Sequence, residues 1–268
     1  MANPMLEKLK KDEVALGFGL MYANPCAIEC MAKGWDWVWI DSQHGQHAYP
    51  TILHSVQLAH LHGLSSMVRL PGHCPDPIGP VLDMAANALM IPMVNTADEA
   101  KALVRAANFP PMGTRSYGGR RVIDLYGRDY YRTANDEVFL VCQIETLEAV
   151  EQAEAIASVK GVGAIFFGPD DMKMRMGIPI NATVNESPEL ARAMEKVAKA
   201  ARNAGKTAGS VAAAPAALKT AVEQGYRLIV GAGDVLLLRG AAQKCDELRA
   251  VLAGMKPAQP QKGPVSPY

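Results

Sequence analysis

The chain has 268 residues, 49% apolar and 20% charged, with 27 basic side chains against 27 acidic ones. A chain this long buries roughly 70–75% of its unfolded surface, so it needs no disulfide or metal staple, and it suits one α/β barrel or two smaller domains. Zero net charge argues against nucleic-acid and anionic-membrane partners, which draw on a basic excess. No apolar stretch approaches the roughly 18 residues of a membrane span, and the opening MANPMLEKLKKDEVALG lacks the apolar centre of a signal peptide. Cys26, Cys30, Cys74, Cys142 and Cys245 form no CxxC pair and read as free thiols of a reducing compartment. The expectation is a soluble, cytoplasmic protein.

Short apolar runs recur along the chain at 14–20, 35–41, 65–71, 88–94, 138–145, 162–168, 206–212 and 226–232. Between them lie segments with apolar residues at helical spacing, such as 49–63 and 187–205; Ser187 and Gly205 fit the caps of the latter. Strands that are apolar almost throughout suit a parallel sheet covered on both faces. Eight of them, each followed by a helix, predict a (β/α)8 TIM barrel, with an open doubly wound sheet as the alternative. A single barrel domain is expected over 1–255. The rhythm breaks at 109–135, a long loop insertion rich in Gly, Arg and Tyr whose aromatics argue for order. It breaks again at 256–268, a Pro-rich tail read as extended or disordered.

In a barrel the chemistry sits where strands end and βα loops begin. The second run ends in Asp41-Ser42-Gln43-His44, the third delivers Arg69, the fifth ends in Gln143-Ile144-Glu145, and the sixth runs into Gly168-Pro169-Asp170-Asp171. Carboxylates from adjacent strand ends can share a divalent cation; alone, Glu145 could equally cap a helix. The six histidines all fall between 44 and 73, which raises a zinc reading. His60 and His62 are two apart on a helix and do not face each other, and His47, His54 and His73 read as solvated. His44 differs: it follows a strand end, with Asp41 placed to orient its ring, as suits a general base. Arg69 is a fixed cation in a core strand, suited to a carboxylate or an enolate oxygen. Gly231-Ala232-Gly233-Asp234 fits either a phosphate site or a tight turn. Gly118-Gly119-Arg120-Arg121 fits an anion loop or a surface turn. Trp35, Trp37 and Trp39 alternate on one strand face and read as packing.

Taken together, DSQHG (41–45), VRLP (68–71), LDMAANALMIPMVNTADEA (82–100), FPPMGTRS (109–116), QIET (143–146) and GPDDM (168–172) resemble the HpcH/HpaI family of class II, metal-dependent pyruvate aldolases. The resemblance implies a barrel of the pyruvate/phosphoenolpyruvate type, its last helix swapped between subunits, in a homohexamer built as a trimer of dimers. It implies that Glu145 and Asp171 hold a divalent metal, Mg²⁺ or Mn²⁺ first and Co²⁺ or Zn²⁺ as alternatives. His44 then looks like the catalytic base in a dyad with Asp41, Arg69 like the residue that steadies the enolate, and Asp83 like an acidic residue completing the site near a subunit boundary. Gln143, Gly168, Asp170, Ser210 and Val211 are the implied substrate-binding set, with Arg120 and Arg121 expected at the polar end of the aldehyde. The implied partners are a small 2-oxo acid and an aldehyde. Gln43, Asp170 and Met172 depart from the family's pattern, and Asp170 puts acceptor specificity in doubt. A citramalyl- or malyl-CoA-type lyase and a non-catalytic barrel are the competing readings.

Overall fold

The apolar runs become eight parallel strands: β1 (Ala15–Leu20), β2 (Trp37–Asp41), β3 (Ser65–Arg69), β4 (Ala88–Ile91), β5 (Phe139–Ile144), β6 (Val162–Phe167), β7 (Thr207–Val211) and β8 (Tyr226–Gly233). They pair in sequence order and close when β8 returns to β1, so the open-sheet alternative is set aside. The computed structural model describes residues 3–255; the tail expected at 256–268 lies outside them.

Helices α1 (Pro4–Lys10), α2 (Ala27–Met31), α3 (Tyr49–Leu61), α4 (Ile78–Asp83), α5 (Ala97–Ala107), α6 (Arg120–Tyr126), α7 (Tyr131–Glu137), α8 (Leu147–Ala157), α9 (Pro169–Met176), α10 (Pro188–Asn203), α11 (Pro215–Gln224) and α12 (Asp234–Ala253) lie between and after the strands. Side chains alternate across each strand, which divides the core in two. Trp37, Trp39, Met67, Met90, Val141 and Phe166 fill the barrel interior, and Met5 of α1 packs with them. The Met5 amide donates to Ser65 Oγ at the first residue of β3 (3.1 Å), so α1 sits against the N-terminal end of the barrel. Val38, Ile40, Val68, Leu89 and Ile165 face the other way, into the layer shared with the helices. Both faces of the strands are buried, hence their apolar runs.

The structure refines several expectations. β2 begins at Trp37, and Trp35 packs edge-on against Phe18, so the three tryptophans do not share one face. Ser187 occupies the N-cap position of α10 but makes no capping bond through its side chain. The 109–135 segment is not an open loop: α6, a 3₁₀ turn at Arg128–Tyr130 and α7 fold around a small core of Ala85, Phe109, Val122, Tyr130 and Ala134. The compact unit that contains the barrel extends through Asp234, and residues from Val235 form a second unit. That unit is helical to Ala253 and exposes Leu236, Leu237, Leu238, Leu248, Val251 and Leu252.

All five cysteines are free thiols. Burial pushes the Cys142 thiol up to about 12, which leaves it unreactive. Among the described residues no helix is long and apolar enough to cross a membrane.

Packing is close at Gly17 of β1, where an added Cβ would lie 2.3 Å from Cε2 of the Trp37 indole. Trp37 cannot swing away, because its Nε1 donates to the Ala15 carbonyl (3.1 Å). Gly17→Ala is therefore expected to cost about 1–3 kcal/mol by overpacking. Gly72→Ala, where nothing lies within 4 Å, is expected to stay within about 0.5 kcal/mol of the parent. Urea denaturation of the two variants against the parent checks both.

Candidate active site

The ends of β2 and β3 lie side by side in register, Asp41 opposite Arg69. Arg69 Nε donates to Asp41 Oδ1 (2.9 Å) and Nη2 to Oδ2, a two-point grip between side chains that are 6% and 0% exposed. The guanidinium carbon sits 4.5 Å from the centroid of the Trp39 ring, and Nη1 reaches Gln143 Oε1 of β5 (3.5 Å). Trp39 is thus packing on one side and a cation-π support on the other. Burial alone would raise the Asp41 carboxyl, but the bond to Arg69, its charge, and two backbone amides outweigh it and hold the group below the usual aspartate range.

Those amides belong to Gln43 (2.9 Å) and His44 (3.3 Å). Here the expected dyad is corrected: the carboxylate of Asp41 binds the backbone of His44 and the guanidinium of Arg69, not the imidazole. Its capacity is spent on a buried cation, which has the stronger demand. The strand-end loop still places His44 where its side chain lines the mouth.

Glu145 follows β5 and is 1% exposed. Its Oε1 accepts the amide of Met93 (2.8 Å), a residue held at φ 58, where side chains other than glycine are strained. Arg175 of α9 clamps the same corner, donating from Nε to the Glu145 carbonyl (3.0 Å) and from Nη2 to Met93 Sδ (3.4 Å). Glu145 Oε2 is buried without a hydrogen-bond partner among the described residues. Burial, and then the charge of Asp171, push the Glu145 carboxyl above its usual range, against the pull of the Met93 amide, Arg69 and Arg175. A Cβ on Gly168 would fall 2.9 Å from Glu145 Oε2 and 3.1 Å from Gln143 Nε2, so only glycine leaves room beside this oxygen. An orphaned carboxylate oxygen near a second carboxylate, with space beside it, fits a hard divalent cation that completes its shell with other oxygens.

A cavity of about 510 Å³ opens over these groups, lined among others by His44, Arg69, Gln143, Gly168, Asp170, Asp171 and Val211. Ser210 lies behind it, buried, donating to the Phe167 carbonyl (3.1 Å). Three expected residues lie elsewhere in the chain. Asp83, at the end of α4, pairs with Arg115 (2.7 Å). Arg120 is bound to Asp124 one helical turn on, while Arg121 donates to the Met84 carbonyl (2.9 Å) and meets His60 Nδ1 (3.2 Å). Asp83, Arg120 and Arg121 line a different cavity, beside α3. Among the described residues, then, neither arginine lines the mouth.

The histidines do not assemble a zinc site: no group of three or more His, Cys, Asp or Glu among the described residues could hold a metal. His47 is buried, not solvated, and its Nε2 lies 3.1 Å from the Leu20 carbonyl. His60 bridges Asn87 and Arg121. After β8, Asp234 presents its carboxylate to the amides of Met21 and Tyr22, which follow β1, at 2.9–3.1 Å, so the Gly-Ala-Gly-Asp turn is tied to the end of β1 through this side chain. Three contributors carried no signal in the sequence: the ring of Trp39, the amide of Met93, and Lys173, a buried lysine on the cavity wall.

The family profile described as HpcH/HpaI aldolase/citrate lyase matches residues 20–241. The chain belongs to this family. It is 41% identical over 179 residues to a 4-hydroxy-2-oxovalerate aldolase of Novosphingobium aromaticivorans, covering 66% of this chain and 68% of that one. It is 35% identical over 246 residues to a 4-hydroxy-2-oxo-heptane-1,7-dioate aldolase of Salmonella dublin, covering 90% and 92%. A solved HpcH/HpaI aldolase/citrate lyase family protein from Burkholderia cenocepacia J2315 superposes with a TM-score of 0.83 at 32% identity, covering 92% of this chain and 99% of that one. The protein is accordingly an aldolase, a carbon–carbon lyase of the aldehyde-lyase class.

Two stability measurements follow from the opposed carboxylates. Asp41→Asn leaves Arg69 buried without its counter-charge and is expected to cost about 3–5 kcal/mol, read by urea denaturation. Glu145 has the opposite sign. Its carboxyl is raised in the folded chain, so the folded state binds more protons than the unfolded one, and stability is lost as pH rises from the usual glutamate range through the raised value. With chelator present, the parent's unfolding free energy is expected to fall over that window, and the fall is expected to shrink in Glu145→Gln.

Proposed function

We propose that the enzyme is a divalent-metal-dependent aldolase that reversibly cleaves a 4-hydroxy-2-oxo acid to pyruvate and an aldehyde. The observation that carries this reading is the orphaned, buried Glu145 oxygen beside Asp171, at a mouth that also holds a fixed guanidinium and a histidine. The relatives' names support it: both specify 4-hydroxy-2-oxo acids, and they differ in whether the far end is a second carboxylate.

Glu145 and Asp171 would hold the cation, with Mg²⁺ and Mn²⁺ best suited to an all-oxygen donor set and Co²⁺ or Zn²⁺ as substitutes. When bound, the cation supplies Lewis acidity to the 2-oxo group, making an enolate at C3 accessible. The chain's own residues do the rest. His44, lining the cavity, takes the proton of the 4-hydroxyl. The C3–C4 bond then breaks, its electron pair passing into the enolate as the aldehyde forms and leaves. Arg69, fixed from behind by Asp41 and Trp39, faces the enolate oxygen without having to reorganise as charge develops. Protonation of C3 by the imidazolium releases pyruvate and restores His44. Gln143 and the backbone at Gly168 position the 2-oxo acid, with Ser210, Val211 and Asp170 bordering it.

Lys173, the lysine on the cavity wall, is held by Asp170 and a carbonyl. A paired ammonium is no nucleophile, which favours enolate chemistry over a Schiff base. Homo-oligomerisation, with a hexamer as the expected form, is supported by the exposed leucines of α12. Asp83 would complete a site only in such an assembly, since within its own chain it pairs with Arg115.

Pyruvate release from a panel of 4-hydroxy-2-oxo acids, with EDTA and with Mg²⁺ or Mn²⁺ restored, tests the reading. Cleavage is expected to stop with chelator and to return with the ion. Glu145→Gln is expected to lower kcat/KM at least about a hundredfold. A covalent adduct trapped by borohydride with pyruvate, together with activity indifferent to chelator, would overturn it.

A further inference from the structure

The proposed chemistry uses the strand ends but leaves one buried charge on the cavity wall without a task. Lys173 of α9 is only 9% exposed and lines the mouth. Its Nζ donates to Asp170 Oδ1 and to the Ile180 carbonyl, both at 3.0 Å. An ammonium carries three donors, so one remains for the cavity. Elsewhere the lining near Lys173 is polar at Asn181 and Thr183 and apolar at Val211 and Ala212.

The charge balance of the mouth limits what the aldehyde can be. Among the described residues that line it, the fixed cations are Arg69 and Lys173, each already paired with an aspartate. The carboxylates of Asp41, Asp170 and Asp171, with Glu145 beside them, exceed those cations by the charge of one divalent ion. Once that ion and a 2-oxo acid carboxylate are in place, the site has no positive surplus for a second carboxylate. Arg120 and Arg121, which could have supplied it, line another cavity. A hydroxyl needs no counter-charge, only a donor, and Lys173 has one to give.

We propose that Lys173, held by Asp170 and the Ile180 carbonyl, is a specificity-determining residue that selects uncharged, hydroxyl-bearing aldehydes by donating to the hydroxyl, while Asp170 turns away carboxylated ones. This rests on the aldolase reading. It assigns a role to the two residues of α9 that stand next to a proposed metal ligand and take no part in making the enolate.

The test compares pyruvate addition to acetaldehyde, glycolaldehyde and glyoxylate, which differ only in carrying a methyl, a hydroxymethyl or a carboxylate group. For the parent enzyme with Mg²⁺ or Mn²⁺, kcat/KM is expected to be highest with glycolaldehyde and lowest with glyoxylate, about tenfold per step. Lys173→Met is expected to bring the glycolaldehyde-to-acetaldehyde ratio down to about one. Asp170→Ala, at a side chain 73% exposed, is expected to raise the glyoxylate-to-acetaldehyde ratio at least about tenfold. A ratio measured on one preparation does not depend on how much of it is folded, and Asp170→Ala keeps the test available should Lys173→Met fail to fold. A parent preference for glyoxylate, or ratios unmoved by either variant, would overturn the proposal. Deuterium exchange at C3 of pyruvate, which needs no aldehyde, separates the two failures. Exchange with unmoved ratios sinks only the role of Lys173 and Asp170; absence of exchange in the parent with the ion present sinks the aldolase reading and this inference with it.

Discussion

A guanidinium buried at the end of a barrel strand must be matched by a charge and by acceptors, and the mouth of this barrel is organised around satisfying Arg69. Asp41, its neighbour in register, supplies the charge. The face of Trp39 covers one side, and Gln143 reaches in from β5. The oxygen of Asp41 that accepts Arg69 Nε also accepts the amides of Gln43 and His44, so the same carboxylate folds the loop that carries the histidine. One electrostatic demand thereby fixes the ends of three strands and the start of a loop. Breaking it would cost both the stability of the mouth and the placement of the groups that act there.

The opposite corner is left unbalanced. Glu145 receives one amide, and its other oxygen has no hydrogen-bond partner among the described residues, with Asp171 adding like charge. Two buried carboxylates a few residues from equivalent strand ends are thus driven in opposite directions, Asp41 down and Glu145 up. Environments that separate like groups in this way assign them different work. Asp41 is an anion serving a buried cation. Glu145 is a carboxylate whose charged form burial and Asp171 disfavour, a cost that the Met93 amide offsets in part and that a divalent cation would relieve.

The barrel itself was legible because burial on both faces writes most strands as nearly continuous apolar runs, and the runs matched the strands to within a few residues. The strand-end residues were legible because the fold dictates where chemistry sits. Partner choice was not. Asp41 lies three residues from His44 in sequence, yet Arg69, on the next strand, has the stronger claim on it. Arg120 and Arg121 looked free beside two glycines, but the insertion folds as helices and presents one to Asp124 and the other to the Met84 carbonyl. His47 fell within a polar stretch and turns out to be buried against the Leu20 carbonyl. Each departure involves a tertiary contact that periodicity does not encode. The amide of Met93 and the ring of Trp39 belong to the same class, since neither side chain is of a reactive type.

The mouth also divides its labour in a way that bears on how relatives with different substrates share one fold. Most of what is proposed to touch the 2-oxo acid comes from the ends of β2, β3, β5, β6 and β7, strands held in register by hydrogen bonding across the sheet. What is proposed to border the aldehyde comes instead from α9, from the segment that follows it, and from the turn after β7, all of which line the cavity. Those elements are free of the register that constrains the strands, so a change such as Asp170 or Lys173 can alter the charge of the acceptor side without displacing Arg69 or Glu145. In the proposed reaction the enolate half would rest on the closed sheet and the acceptor half on side chains of one short helix, where Asp170 and Lys173 form an ion pair three residues apart.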